Sequence, residues 1–241
     1  MRFRRLSPVR TPVNALGPSL SNDPQAVPSG GLRPPRAAAV AGIIFSVLMV
    51  LSLGIIRTAA PAGLSDHGWL TDPVMRRLLS LALNIVPFAG VAFLWFIGVL
   101  RSRLGKLEDQ FFATVLLGSG LMFVASLFGA AAISGALLEE ATSPHGHLLS
   151  VETYVLARRV AHALLNVFAV KMAAVFTFST CAIVLRTAIL PRWLAFSGFA
   201  CGLVLLLVIT NWEWIVLLFP LWLLLVSTHI LVADLRHGHI K

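Results

Sequence analysis

The stretch FFATVLLGSGLMFVASLFGAAAISGALL, residues 111–138, runs for 28 positions without a charged side chain. As an α-helix it would be about 42 Å long, enough to cross a hydrocarbon core of about 30 Å with length left over for tilt. It reads as a transmembrane helix. Five further apolar runs accompany it, at about 37–56, 78–100, 155–185, 194–210 and 214–232. The fold class that follows is all-α, a polytopic transmembrane helix bundle with six predicted spans. Pro87 falls within the second run and Pro220 within the sixth, where it is expected to kink the helix; neighbouring helices can satisfy the carbonyls such prolines release.

Composition agrees. Of 241 residues, 58% are hydrophobic and 12% charged, with a mean hydropathy of +0.88. A soluble domain carries about twice that charged fraction. The formal charge of +9 and pI of about 11.2 would ordinarily suggest nucleic acid. The arginines, however, cluster at the N-terminus and between apolar runs, where an anionic cytoplasmic leaflet would attract them. The expected partner is therefore the lipid bilayer and not nucleic acid, with a homo-oligomer or a partner membrane protein left open. Cys181 and Cys201 both lie inside apolar runs and read as small packing residues.

Residues 1–36 hold Arg2, Arg4, Arg5, Arg10, Arg33 and Arg36, seven prolines and one acid, Asp23. They read as a disordered basic cytoplasmic tail. Residues 37–235 form the six-helix domain and 236–241 a short second tail. With the N-terminus in the cytoplasm, thirteen Lys and Arg residues fall inside and five outside, with Lys171 in a span. Without the long tail the count is seven against five. The bias predicts a protein of the bacterial cytoplasmic membrane with both termini on the cytoplasmic side. Trp212 and Trp214 then mark the outer interface and Trp193 the inner one.

Helices in lipid associate through small residues, because lipid tails are as apolar as a helix face. Gly198-xxx-Gly202 in the fifth span and Ser126-xxx-Ala130-xxx-Ser134 in the third read as packing faces.

The fourth span carries the polar residues that need explanation. A continuous α-helix puts Arg158, Arg159, His162, Asn166, Thr177 and Thr180 on one broad face. Such a stripe should face the bundle interior or water. Asn84 of the second span, with Ser80, lies at a similar outer depth, so a polar pocket around His162 and Asn166 is expected. Lys171 sits near mid-span and, at 100° per residue, points away from His162. No Asp or Glu shares its depth, and its expected partners are backbone carbonyls beside Pro87 or Pro220, or a water-filled cavity. The candidate site residues are thus Asn84, His162, Asn166 and Lys171.

No catalytic residue or metal site is assigned. His162 and His229 lie at opposite depths and cannot share a haem, and the outer-loop pair His145-Gly-His147 reads as solvated, as do His237 and His239. No phosphate loop, nucleophile elbow or zinc helix is present, so no cofactor is expected and an enzyme is disfavoured. The loop Arg101-Ser-Arg-Leu-Gly-Lys-Leu-Glu-Asp109 is explained by helix dipoles, with cations after one helix and acids before the next.

The stretch Phe93-Leu-Trp-Phe-Ile-Gly-Val-Leu-Arg101, with Arg103-Leu-Gly105 and Glu108-Asp109-Gln-Phe-Phe112, resembles a segment of small uncharacterised bacterial membrane proteins of actinobacterial type. The resemblance spans the second and third apolar runs. It implies location and architecture and transfers no functional residue. Two function classes lead. Small-solute or ion transport would place Lys171 or His162 in a water-accessible cavity. A structural or accessory membrane subunit would be a solid bundle with an exposed groove of small residues.

Overall fold

A computed structural model of the chain describes residues 34–59, 72–104, 110–142, 150–187, 191–207 and 213–238. All are helical apart from single residues at helix starts, and no strand occurs among them. We number the helices α1 (Pro34–Ala59), α2 (Pro73–Leu104), α3 (Gln110–Thr142), α4 (Val151–Ala163), α5 (Val170–Thr187), α6 (Arg192–Leu207) and α7 (Leu218–Gly238). A π-helical segment, Leu164–Ala169, joins α4 to α5, and a 3₁₀ turn, Glu213–Leu217, leads into α7. Most of the N-terminal tail, the His145-Gly-His147 loop, Trp212 and His239 lie outside the described residues.

Side-chain contacts give the register. Ser52 donates to the Ala82 carbonyl at 2.8 Å and Phe45 meets Phe93, so α1 and α2 run antiparallel. A Cβ on Gly120 would collide with Ile97 Cδ1, and one on Gly90 would collide with the Phe128 ring, which sets α3 antiparallel to α2. Gly120 also faces Phe176 and Gly129 faces Leu164, continuing the alternation into the fourth span. Gly202 faces Phe178 and Gly198 faces both Cys181 and Trp222, so α6 sits between α5 and α7. The expected packing role of Gly198-xxx-Gly202 is met, since any Cβ at Gly198 would overlap the Cys181 sulfur.

The last helix returns to the first. Gly42 faces Ser227, Phe45 meets Phe219, and Arg36 pairs with Asp234 at 2.5 Å. The six spans therefore close into an up-and-down ring. We call its two ends the Arg36 end and the Arg57 end.

Five spans are long and apolar enough to cross a membrane: Arg36–Thr58, Pro73–Arg101, Phe111–Glu140, Val151–Arg186 and Trp214–Arg236. The sixth, Arg192–Leu207, is a shorter apolar helix whose 16 described residues cover about 24 Å. Pro220 is not a mid-helix kink. It occupies the first turn of α7, just after the 3₁₀ turn, where its missing N–H costs the helix nothing.

At the bundle axis six phenylalanines meet. The Phe93 ring lies 4.7 to 6.3 Å from those of Phe45, Phe96, Phe123, Phe176 and Phe219. All six are buried, drawn from α1, α2, α3, α5 and α7. On the same helix Phe88 and Trp95 stay 69% and 72% exposed, facing outward. Phe93→Ala should therefore lower thermal stability in detergent by about 3 kcal/mol through the cavity it leaves. Phe88→Ala should leave the melting temperature close to wild type. Equal effects of the two substitutions would contradict this core.

Candidate functional site

Three polar sets stand out in this bundle. The first lies at the π-helical segment. Asn166 accepts from Arg57 Nη2 through Oδ1 at 3.2 Å. Its amide nitrogen donates to the His162 carbonyl and approaches His162 Nδ1, both at 3.1 Å. Arg57 can only donate, so the amide oxygen must face it and the NH₂ must face His162. A ring nitrogen that receives this donor is the acceptor, which places the ring N–H on Nε2.

The π turn also changes the phase of the span. A π-helix pairs i with i+5 and holds more than 3.6 residues per turn, so counting 100° per residue across 164–169 fails. The single polar face expected from His162 to Thr180 is accordingly absent. His162 is exposed, whereas Thr177 and Thr180 are buried and donate to the carbonyls of Ala173 and Phe176 on their own helix, each at 2.8 Å. Those two hydroxyls need no partner from elsewhere.

The second set is Lys171. Its ammonium donates to the carbonyls of Leu205 at 3.1 Å and Leu206 at 2.6 Å. These belong to the last turn of α6. A helix leaves its last four carbonyls without intrahelical donors, and in a bilayer each such group is expensive. A cation there also meets the negative end of the helix dipole. Lys171 thus caps the carbonyls of the last described turn of α6. Its partners are carbonyls, but those of Leu205 and Leu206 and not those beside Pro87 or Pro220. The register explains the match: Lys171 lies 15 residues before Arg186 and Leu206 lies 14 after Arg192, on two antiparallel helices.

The third set lines a groove of about 920 Å³ between α2 and α3. Asn84 is here and donates to the Ser80 carbonyl at 2.8 Å. Arg76, Arg77, Ser80 and Pro87 share its wall, with Ala131, Ala132, Gly135 and Glu139 opposite. Neither His162 nor Asn166 lines this groove. The four candidate residues therefore divide three ways, with His162 and Asn166 together, Asn84 in the groove and Lys171 on α6.

From sequence, Arg57, Arg76, Arg77 and Glu139 read only as interfacial charges. The pair Arg76-Arg77 followed at four-residue steps by Ser80 and Asn84 is a polar stripe that sequence alone displays. Arg57 gives no such sign, because Asn166 lies 109 positions away. Among the described residues no group of three or more His, Cys, Asp or Glu side chains is placed to hold a metal ion. His229 packs edge-on to Trp193 at 6.0 Å, far in sequence and partner from His162.

No protein-family model, curated protein or solved structure matches the chain. The helices identify it as an integral membrane protein with a polytopic α-helical bundle. Lys171→Met should remove both charge-assisted bonds to α6 and destabilise the bundle by about 2 kcal/mol, a fall of roughly 5 °C in melting temperature. Lys171→Arg, which keeps the donors, should recover most of it. A methionine variant that melts with wild type would rule out the capping role.

Proposed function

We propose that the protein is a non-catalytic accessory subunit of the bacterial cytoplasmic membrane, a bundle that binds at its surface and does not conduct through its centre. The observation that carries this reading is the phenylalanine cluster around Phe93, which fills the axis where a solute path would run. Lys171, the cation near mid-span, serves the α6 terminus. The groove between α2 and α3, walled by Ala131, Ala132 and Gly135, supplies the exposed surface of small residues that a binding role calls for. The resemblance to small actinobacterial-type membrane proteins belongs to the same reading. Purified protein reconstituted into liposomes should release trapped potassium or protons no faster than empty vesicles. A protein-dependent flux abolished by Asn166→Ala or His162→Ala would overturn the reading in favour of transport.

The orientation we propose puts both termini in the cytoplasm, so the Arg57 end faces out. It is supported by the excess of Lys and Arg at the opposite end, including Arg36, Arg101, Arg186, Arg192 and Arg236. A reporter active only in the cytoplasm should therefore be active when fused after Lys241. Activity of a periplasm-dependent reporter at the same position would reverse the assignment.

A further inference from the structure

We propose that the groove between α2 and α3 is a binding site for one anionic phospholipid from the leaflet at the Arg57 end. The inference does not depend on the accessory reading, since a transporter would carry the same groove.

The groove exists because two helices that touch at one level part at another. At Gly90 the backbone of α2 meets the Phe128 ring so closely that a Cβ would overlap it. Above that contact, towards the start of α2 and the end of α3, the facing stripes no longer interlock. On α2 the stripe is Arg76, Ser80, Leu83, Asn84 and Pro87, spaced by three and four so that one helix face carries it. On α3, Ala131, Ala132 and Gly135 keep the facing wall low. Phe128 forms the floor and the space above it is about 920 Å³, within the range of ligand sites.

Its polarity is graded as a phospholipid is. Arg76 and Arg77 sit in the first turns of α2, at the membrane-surface end of the groove, and Glu139 stands on the other wall. Asp72 just outside is used as the helix cap, with a carboxylate oxygen accepting from the Val74 N–H at 2.8 Å. The charged side chains that line the groove are Arg76, Arg77 and Glu139, two cations and one anion, a net single positive charge. That complements a phosphodiester with one negative charge, and arginine is suited to two-pronged binding of phosphate oxygens. Ser80 follows one turn deeper, at the level of glycerol esters, with an exposed hydroxyl to donate. Leu83, Pro87 and Phe128 complete an apolar lower half.

Length also fits. From Pro73 to Pro87 the groove follows 14 residues of α2, about 21 Å. One leaflet, half of a bilayer about 40–45 Å thick including headgroups, measures about 20–22 Å. The groove starts at the surface and ends near the midplane, so it matches a lipid of one leaflet and not a solute crossing both.

The test is native mass spectrometry of the full-length protein in detergent, titrated with phosphatidylglycerol or phosphatidylethanolamine of identical acyl chains. Phosphatidylglycerol should be retained about tenfold better, and Arg76→Gln with Arg77→Gln should remove that preference. Gly135→Leu provides a second arm that leaves the charges in place. A Cβ at Gly135 meets nothing within 4 Å, so the side chain should fill the groove without disturbing packing and lower retention of both lipids. Arg192→Gln, at the opposite end, should change nothing. Equal retention of the two lipids, or wild-type retention of phosphatidylglycerol in Gly135→Leu, would overturn the proposal.

Discussion

The packing of the Phe93 ring against five other phenylalanines is the contact on which the remaining geometry depends. In lipid there is no hydrophobic drive to bring helices together, because a helix face is no better solvated by protein than by acyl chains. What remains is dispersion and ring geometry, gained only where surfaces fit. Edge-on pairs such as Phe93–Phe219, at 5.7 Å and 84°, are of that kind. Rings from five helices meeting at one level fix the depths of those five spans relative to one another. Small residues such as Gly42, Gly120 and Gly198 then set how closely the neighbours approach.

With the spans fixed in depth, Lys171 reaches from its own span to the Leu205 and Leu206 carbonyls in the last described turn of α6. A lysine among apolar helices is costly, and these carbonyl partners offset part of that cost. Asn166 has a comparable role in the preceding π-helical segment, where its amide is held between Arg57 and His162. The polar residues of the fourth span are thus largely occupied with the helices around them. The groove on α2 and α3 is different, because its arginines, Ser80 and small-residue wall form a cleft between the two helices.

Much of this was legible in the sequence. The number of spans, their all-helical nature and the packing role of Gly198-xxx-Gly202 follow from hydrocarbon thickness and from small-residue spacing. The oddity of Lys171 was legible too, since a lone cation at mid-span is conspicuous anywhere. Its partner was not: Leu205 and Leu206 offer backbone atoms, which every residue has, so no residue type marks them. The polar face assumed for His162, Asn166, Thr177 and Thr180 failed at the π turn, because helical phase cannot be counted through a segment whose period changes.

The sequence by itself determined that the chain crosses a membrane about six times as helices, because backbone groups in hydrocarbon must be satisfied within each segment. Only the tertiary structure decided which apolar residues face inward. Phe88 and Phe93 are the same residue type in the same helix, one facing outward and one at the axis. Lipid and protein interior are equally apolar, so hydropathy carries no signal of inside and outside. The meeting of Arg57 with Asn166, the capping of α6 by Lys171 and the separation of α2 from α3 above Phe128 are likewise consequences of how whole helices pack, fixed by the fit of side chains far from one another in the chain.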